Sequence, residues 1–302
     1  MKLVYILSQR YSGSTLLSFL LGTHSDVATI GERRKFYIHS FEKKGSDTLR
    51  CSCGQFFPDC EHWKSLKEGV SDRINIKTIN TNPTEFRLSD NKYIRKGLFE
   101  LLKLSLKYNS PLLRIPLQSK LKSFSQFNRV LVEESLKLDG ADVFLDSSKV
   151  IDHLIFLSMI EAFDIKVVWL TRDPRAQVNS ALKYNKWSVA DATERWKIEM
   201  QENQFWLKKL KINYVSLNYE ALCHDPTVEM NRLLNFLELN PEDFSLDFRE
   251  QTQHIMGNYN MRLGSDSKIV ERKEWLETLS QEQIRTIESM TKDYKAYYSK
   301  TV

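Results

Sequence analysis

The chain has 302 residues, 41% hydrophobic, 27% charged and 11% aromatic. That is enough to bury a sizeable core, and too balanced a composition for a disordered, collagenous or coiled-coil chain. The net charge of +5 is too mild to argue for a nucleic-acid partner, and none is expected. Glycine is scarce: there are ten, about half the usual ~7%, and three fall within the first 31 residues.

Leu3–Leu7 is a continuous apolar run that predicts a buried strand, and it ends in the polar, glycine-bearing turn Ser8–Ser14. The run is shorter than the apolar part of a signal peptide or a membrane span, so a soluble cytoplasmic protein is expected. Leu16–Leu21 then reads as a buried helix stopped by Gly22. In the second half, Val143–Leu145 is a strand candidate running into Asp146-Ser147-Ser148-Lys149, with a helix expected over Ile151–Phe163. Lys166–Leu170 predicts a further strand, followed by Thr171-Arg172-Asp173-Pro174 and a helix over Pro174–Lys183. Asn213–Leu217 gives another strand. Strands alternating with helices imply an α/β fold with a parallel sheet, whose ligands sit in loops at the carboxyl ends of the strands.

Between about Trp63 and Gly140 this alternation is lost. Lys92–Arg129 holds nine basic residues and one acid, Glu100, a local net charge of +8 that leaves −3 for the rest of the chain. The basicity lies on an expected amphipathic helix over Tyr93–Tyr108 and its sequel, so residues 64–140 read as a basic, mainly helical insertion in a single domain spanning 1–302. It suits an anionic acceptor or a peripheral membrane contact, and equally a solvated helix face.

A strand, a turn with Gly13, and a helix opening near Ser14 make an anion site: helix N–H groups converge, and Ser12, Ser14 and Thr15 add hydroxyls. Simple capping by Ser12 or Ser14 is the alternative. A nucleoside-triphosphate loop reads G-x-x-x-x-G-K-[ST], and here both the first glycine and the lysine are missing.

Ser8–Leu17, His24-Ser25-Asp26-Val27 and Gly31-Glu32 together resemble the opening of sulfotransferases that use 3′-phosphoadenosine 5′-phosphosulfate (PAPS). Val167–Ser180 resembles the 3′-phosphate segment of that family. Asp146–Lys149, Tyr219–Leu222 with Asp225-Pro226, and His254 with Gly257-Asn258 and Arg262 are similar to further stretches. Cys51-Ser52-Cys53-Gly54, Cys60 and Trp63 resemble a bacterial branch. The resemblance covers residues 1–63 and 142–302 and implies a P-loop-like sheet flanked by helices.

It also implies transfer of a sulfuryl group from PAPS to a hydroxyl or amine of an acceptor such as a glycan, lipid or small metabolite. By the resemblance, Ser12, Gly13, Ser14 and Thr15 cradle the 5′-phosphosulfate, and Arg172 and Ser180 hold the 3′-phosphate. Tyr219 lies against adenine, Asn258 and Arg262 close over the donor, and Glu32 takes the acceptor's proton. The family's loop cation is replaced here by Tyr11, so Arg10 one position earlier, or Lys149, stands in as the cation near the leaving oxygen, with Tyr11 offering a hydroxyl. Two alternatives stay open: a P-loop-type nucleotide kinase, and a non-catalytic binder of PAP, the desulfonated product.

Cys51, Cys53, Cys60 and His62 are candidate zinc ligands. Structural zinc sites space their ligand pairs by two to four residues, whereas each pair here is separated by one, so reduced thiols in a small hairpin are the expectation and no metal is assigned.

Overall fold

Five short apolar runs pair into one parallel sheet. The computed structural model describes residues 1–42 and 49–298, and its strands are β1 (Lys2–Ser8), β2 (Val27–Thr29), β3 (Val143–Lys149), β4 (Asp164–Thr171) and β5 (Asn213–Asn218). They lie in the order β2-β3-β1-β4-β5, every neighbouring pair parallel. The chain moves from β1 to β2 on one side, and returns through β3 to cross to β4 on the other. The strand order therefore switches beside β1, which is where ligands enter an open α/β sheet.

β1 is buried along all but its first residue, as a central strand covered on both faces must be. Its alternate side chains divide between two cores. Leu3, Tyr5 and Leu7 join the larger one, with Trp63, Phe127, Phe144, Trp169 and Trp206. Val4 and Ile6 join the other, with Leu17, Leu20, Leu233 and Leu234 from the helices Ser14–Leu21 and Pro226–Leu237. The two-residue period of a strand makes both packings from one run.

The segment between β2 and β3 carries the helices Glu61–Arg73, Lys92–Lys107 and Gln118–Asp139. The last buries Phe124, Phe127, Val130 and Leu131 against the sheet, whereas the basic helix buries only Leu102 and Ser105 and leaves Tyr93 and Ile94 in solvent. The helix expected over Ile151–Phe163 is shorter than the sequence implies. It ends at Leu157, and tight turns through Ile160 and Phe163 bring the chain back to start β4 at Asp164. Among the described residues, no helix is long and apolar enough to cross a membrane.

One ion pair ties the turn after β2 to β3. Arg33 Nε donates to Asp146 Oδ2 at 2.7 Å, both side chains fully buried, and Arg33 also bonds Asn128 on the Gln118–Asp139 helix. The other carboxylate oxygen of Asp146 accepts from the Ser148 N–H (2.8 Å) and hydroxyl (2.5 Å). Removing one member of such a pair strands a charge in the interior. Asp146→Ala is expected to lower the unfolding free energy by about 3–5 kcal/mol, read by urea denaturation; a loss under 1 kcal/mol would mean that the pair is dispensable.

Candidate active site

The turn after β1 is built from unusual backbone. Tyr11 (φ 64°) and Gly13 (φ 90°) are both left-handed, and Gly13 is the N-cap of the Ser14–Leu21 helix. A side chain at Gly13 would also collide with Tyr219, because a Cβ there would lie 2.4 Å from the ring. Glycine is thus required twice, by conformation and by close approach. Among the described residues no side chain caps this helix, so neither Ser12 nor Ser14 takes the capping role. The Ser12 hydroxyl instead donates to the Gln9 carbonyl at 2.8 Å. The first-turn N–H groups are left without a side-chain acceptor, as an anion site requires.

Around this turn lies a cleft of about 430 Å³ at the carboxyl ends of the strands, a size that suits a small-molecule ligand. Its lining includes seven basic side chains, Arg10, Arg34, Lys149, Arg172, Lys183, Lys268 and Arg272, against the two acids Glu32 and Glu274. Such a wall attracts an anionic ligand.

On one side β4 delivers Arg172. Its Nη1 donates to the Tyr11 carbonyl at 2.7 Å and its Nη2 to the Arg272 carbonyl at 3.2 Å, while the guanidinium stacks 4.4 Å over the Tyr219 ring. Its buried Nε has no hydrogen-bond partner among the described residues and stands 4.0 Å from a Glu220 oxygen. The following helix, Pro174–Asn185, brings Asn179, Ser180 and Lys183 to the same wall, and the Ser180 hydroxyl donates to the Ala176 carbonyl at 3.0 Å. Asp173 and Arg175 form their own ion pair at 2.6 Å, with Arg175 also on Glu288, so these two serve the helix end. Tyr219 donates its hydroxyl to the Val270 carbonyl at 3.2 Å, and burial pushes its phenol pKa up.

On the other side stands Glu32. Gly31, at φ 73°, makes a parallel bridge with Met256, and a Cβ there would lie 2.0 Å from the Met256 carbonyl oxygen. The Glu32 N–H donates to that same carbonyl at 3.1 Å. Its carboxylate takes Lys149 Nζ at 2.7 Å on one oxygen and Arg34 at 3.0 Å on the other. Burial would push this carboxyl up, but the charges and hydrogen bonds of Lys149 and Arg34 outweigh it and hold the pKa below the ordinary carboxylate value. Lys149 itself sits in left-handed backbone (φ 74°) at the end of β3, where the register with β1 slips.

The other expected residues divide. Arg10 lines the cleft from an exposed position, and Gln177 donates to its carbonyl. The Tyr11 ring stacks on Tyr184 at 5.7 Å, and its hydroxyl accepts from Asn185 at 3.2 Å, so that hydroxyl is already engaged. Asn258 lines the cleft, and its N–H donates to the Thr15 hydroxyl at 3.0 Å. Arg262 is not part of the lining. It is buried, with Nη1 on the Met256 sulfur at 2.7 Å and its guanidinium near Phe57 and Tyr259. His24 bonds the Asn240 carbonyl and the Asp26 N–H and so serves the turn before β2. His62 is not with the cysteines. The helix Glu61–Arg73 turns it toward Asp139 (2.8 Å), and the imidazole facing the sulfurs is that of His254. Arg34, Lys183, Lys268 and Arg272 carry no motif; the turn after Gly31, the helix Pro174–Asn185 and the path of residues 264–275 bring them to the cleft.

Residues 4–243 match the sulfotransferase family. Among solved structures, the sulfotransferase domain from the Synechococcus PCC 7002 olefin synthase is similar over 96% of this chain and 94% of that one, at 17% identity and a TM-score of 0.53. The sulfotransferase domain from the curacin biosynthetic pathway is similar over 96% of each chain (15% identity, TM-score 0.48). The sulfotransferase STF9 from Mycobacterium avium is similar over 98% of this chain and 76% of that one (13% identity, TM-score 0.49). A comparison with curated proteins gives no match.

Glu32 also sets a pH dependence. Its carboxyl is depressed in the fold, so its stabilising contribution is present above the unfolded pKa of about 4.3 and is lost as pH falls through the lower folded value. Glu32→Gln is therefore expected to melt below the wild type at pH 7, with the gap in Tm closing under acid. A gap that stays constant from pH 7 to pH 3 would show that the ion pairs contribute nothing.

Proposed function

The chain belongs to the sulfotransferase family, and from that membership and the cleft we propose that it takes PAPS as donor and transfers the sulfuryl group to a hydroxyl or amine of an acceptor. The observation that carries the reading is the division of the cleft's anion-binding groups. One set is the uncapped helix start with Ser12–Thr15, and the other is Arg172 with Ser180, which adjoins that turn at Tyr11, with Tyr219 packed against both Gly13 and Arg172. Two anionic groups joined through a nucleoside, as in PAPS, suit that division. The uncapped loop suits the 5′-phosphosulfate, Arg172 and Ser180 the 3′-phosphate, and the Tyr219 side the adenine.

In the transfer, a lone pair on the acceptor oxygen or nitrogen forms a bond to sulfur while the bond from sulfur to the 5′-phosphate oxygen breaks. The electron pair of the broken bond leaves with PAP, and the acceptor's proton passes to the Glu32 carboxylate. Lys149 is the better placed cation for the leaving oxygen. It is mostly buried and held in a fixed backbone conformation, whereas Arg10 is exposed and makes no side-chain hydrogen bond to a described residue. Preorganised charge of this kind stabilises developing negative charge without rearrangement. Glu32 is ionised at neutral pH, so it is ready to accept a proton, and an anion that draws Lys149 toward itself makes Glu32 more basic.

Calorimetry with PAP, ATP and GTP tests the reading. PAP should bind, and Arg172→Ala should weaken it roughly tenfold to a hundredfold, since a hydrogen bond to a charged group contributes about 1.5–3 kcal/mol. Protein that ignores PAP but binds ATP with Mg²⁺ would overturn it in favour of kinase chemistry. For the base, Glu32→Gln should keep PAP affinity while turnover of an acceptor found by screening drops by about 10²-fold or more; unchanged turnover would remove Glu32 from the mechanism.

A further inference from the structure

Three cysteines and a histidine that the proposed reaction does not use converge outside the cleft. Cys51 and Cys53 lie on a small hairpin closed by the Arg50–Phe56 bridge, Cys60 is the N-cap of the helix Glu61–Arg73, and His254 comes from a segment almost two hundred residues later. The Sγ atoms of Cys53 and Cys60 are 3.7 Å apart, and His254 Nδ1 lies 3.2 Å from Cys60 Sγ and 3.7 Å from Cys51 Sγ. All four atoms lie within 4.8 Å of one another. A tetrahedral zinc with Zn–S of about 2.3 Å and Zn–N of about 2.0 Å has edges of about 3.8 Å between sulfurs and about 3.5 Å between sulfur and nitrogen. The spacing of the donors is close to those edges. It is far from the ~2.05 Å of a disulfide.

We propose that Cys51, Cys53, Cys60 and His254 form a structural zinc site. Thiols are weak hydrogen-bond donors and acceptors, so three of them and an imidazole gain little from facing one another unless an ion sits between them. Four protein donors leave no open coordination position, which marks a structural rather than a catalytic metal. The tight Cys60-x-His62 spacing that argues against zinc in the sequence loses its force, because His62 is not one of the ligands; Cys51 and Cys53 keep theirs on one hairpin, and the other two donors come from separate segments. His62 stacks on the His254 ring at 4.5 Å and is fixed by Asp139, which holds the ligand ring from behind. Cys53 and His254 are partly exposed, so an ion has a way in.

The site braces the wall that carries Glu32. Next to His254, the Ile255 N–H donates to the Ser52 hydroxyl at 2.7 Å, Met256 pairs with Ile30 and Glu32, and the Asn258 N–H reaches Thr15. Trp63 Nε1 adds a bond to the His254 carbonyl at 3.2 Å. Zinc at this point locks the hairpin, the helix start and the late segment together.

Elemental analysis of protein purified without added metal or chelator is expected to give one zinc per chain. Cys60→Ser and His254→Ala should each fall to about a tenth of that or less, while His62→Ala keeps it. If the variants fold poorly, the wild type still decides. Reduced, metal-stripped protein should take up one cobalt per chain with the intense visible bands of a tetrahedral site and a thiolate charge-transfer band. It should also show faster amide exchange over residues 253–258 than the zinc form. The proposal is overturned if the native protein carries no zinc and the stripped protein takes up no cobalt, if the purified chain is lighter by two hydrogens from a disulfide, or if His62→Ala loses the metal and His254→Ala keeps it.

Discussion

A guanidinium with no exposure is tolerable in a protein interior only if its charge is met on the spot, and the turn after β2 depends on that requirement. Arg33 is met by Asp146 from β3 and by Asn128 from the long helix, with the Phe86 ring 5.3 Å away. Glu32 and Arg34 flank it in sequence, so anchoring Arg33 inward turns its two neighbours toward the cleft. Asp146 acts likewise on the other strand. By binding Ser148, whose hydroxyl accepts from the Arg34 N–H at 3.1 Å, it fixes the turn from which Lys149 reaches Glu32. One buried pair thus positions a carboxylate and two cations at the surface of the sheet.

The cleft is completed by chain that belongs to no strand. Residues 253–258 lie along the turn after β2 through Met256, and residues 268–275 cover Tyr219 and Arg172 through the Val270 and Arg272 carbonyls. Both join the first βα turn, at Thr15 and at Tyr11 through Arg172. The turn after β1 is therefore held by partners from three distant parts of the sequence. That supports its left-handed residues without a long capping network.

What the sequence reveals follows from how local each cause is. The strand runs, Gly13, Pro174 and the Gly22 stop act within a few residues, and the parallel sheet with its switch beside β1 follows from their alternation. Ser12–Thr15 and Arg172 lie together in the cleft because strand ends bring them there. Arg262 has the same motif-borne standing, yet the short helix Tyr259–Arg262 directs it inward onto Met256. His62 and His254 exchange places for a similar reason: spacing counts residues, whereas donor geometry depends on which helix face points where. Arg34 and Arg272 illustrate the remaining gap, since an isolated arginine becomes part of a site only through the tertiary path of its loop.

The cleft must satisfy two opposing electrostatic demands. Seven basic side chains favour a polyanion, but the same field depresses a carboxylate and weakens it as a base. Pairing Glu32 with Lys149 and Arg34 reconciles them. Without an anion, the one carboxylate offsets half of the charge of the two cations and, bonded to both, weakens their repulsion across the turn. With an anion present, each cation has two negative partners to share, and the carboxylate's hold on its proton strengthens as its share declines. Anion binding in the cleft and the basicity of Glu32 are thereby linked through Lys149, and under the proposed roles the carboxylate is most basic when the donor is in place.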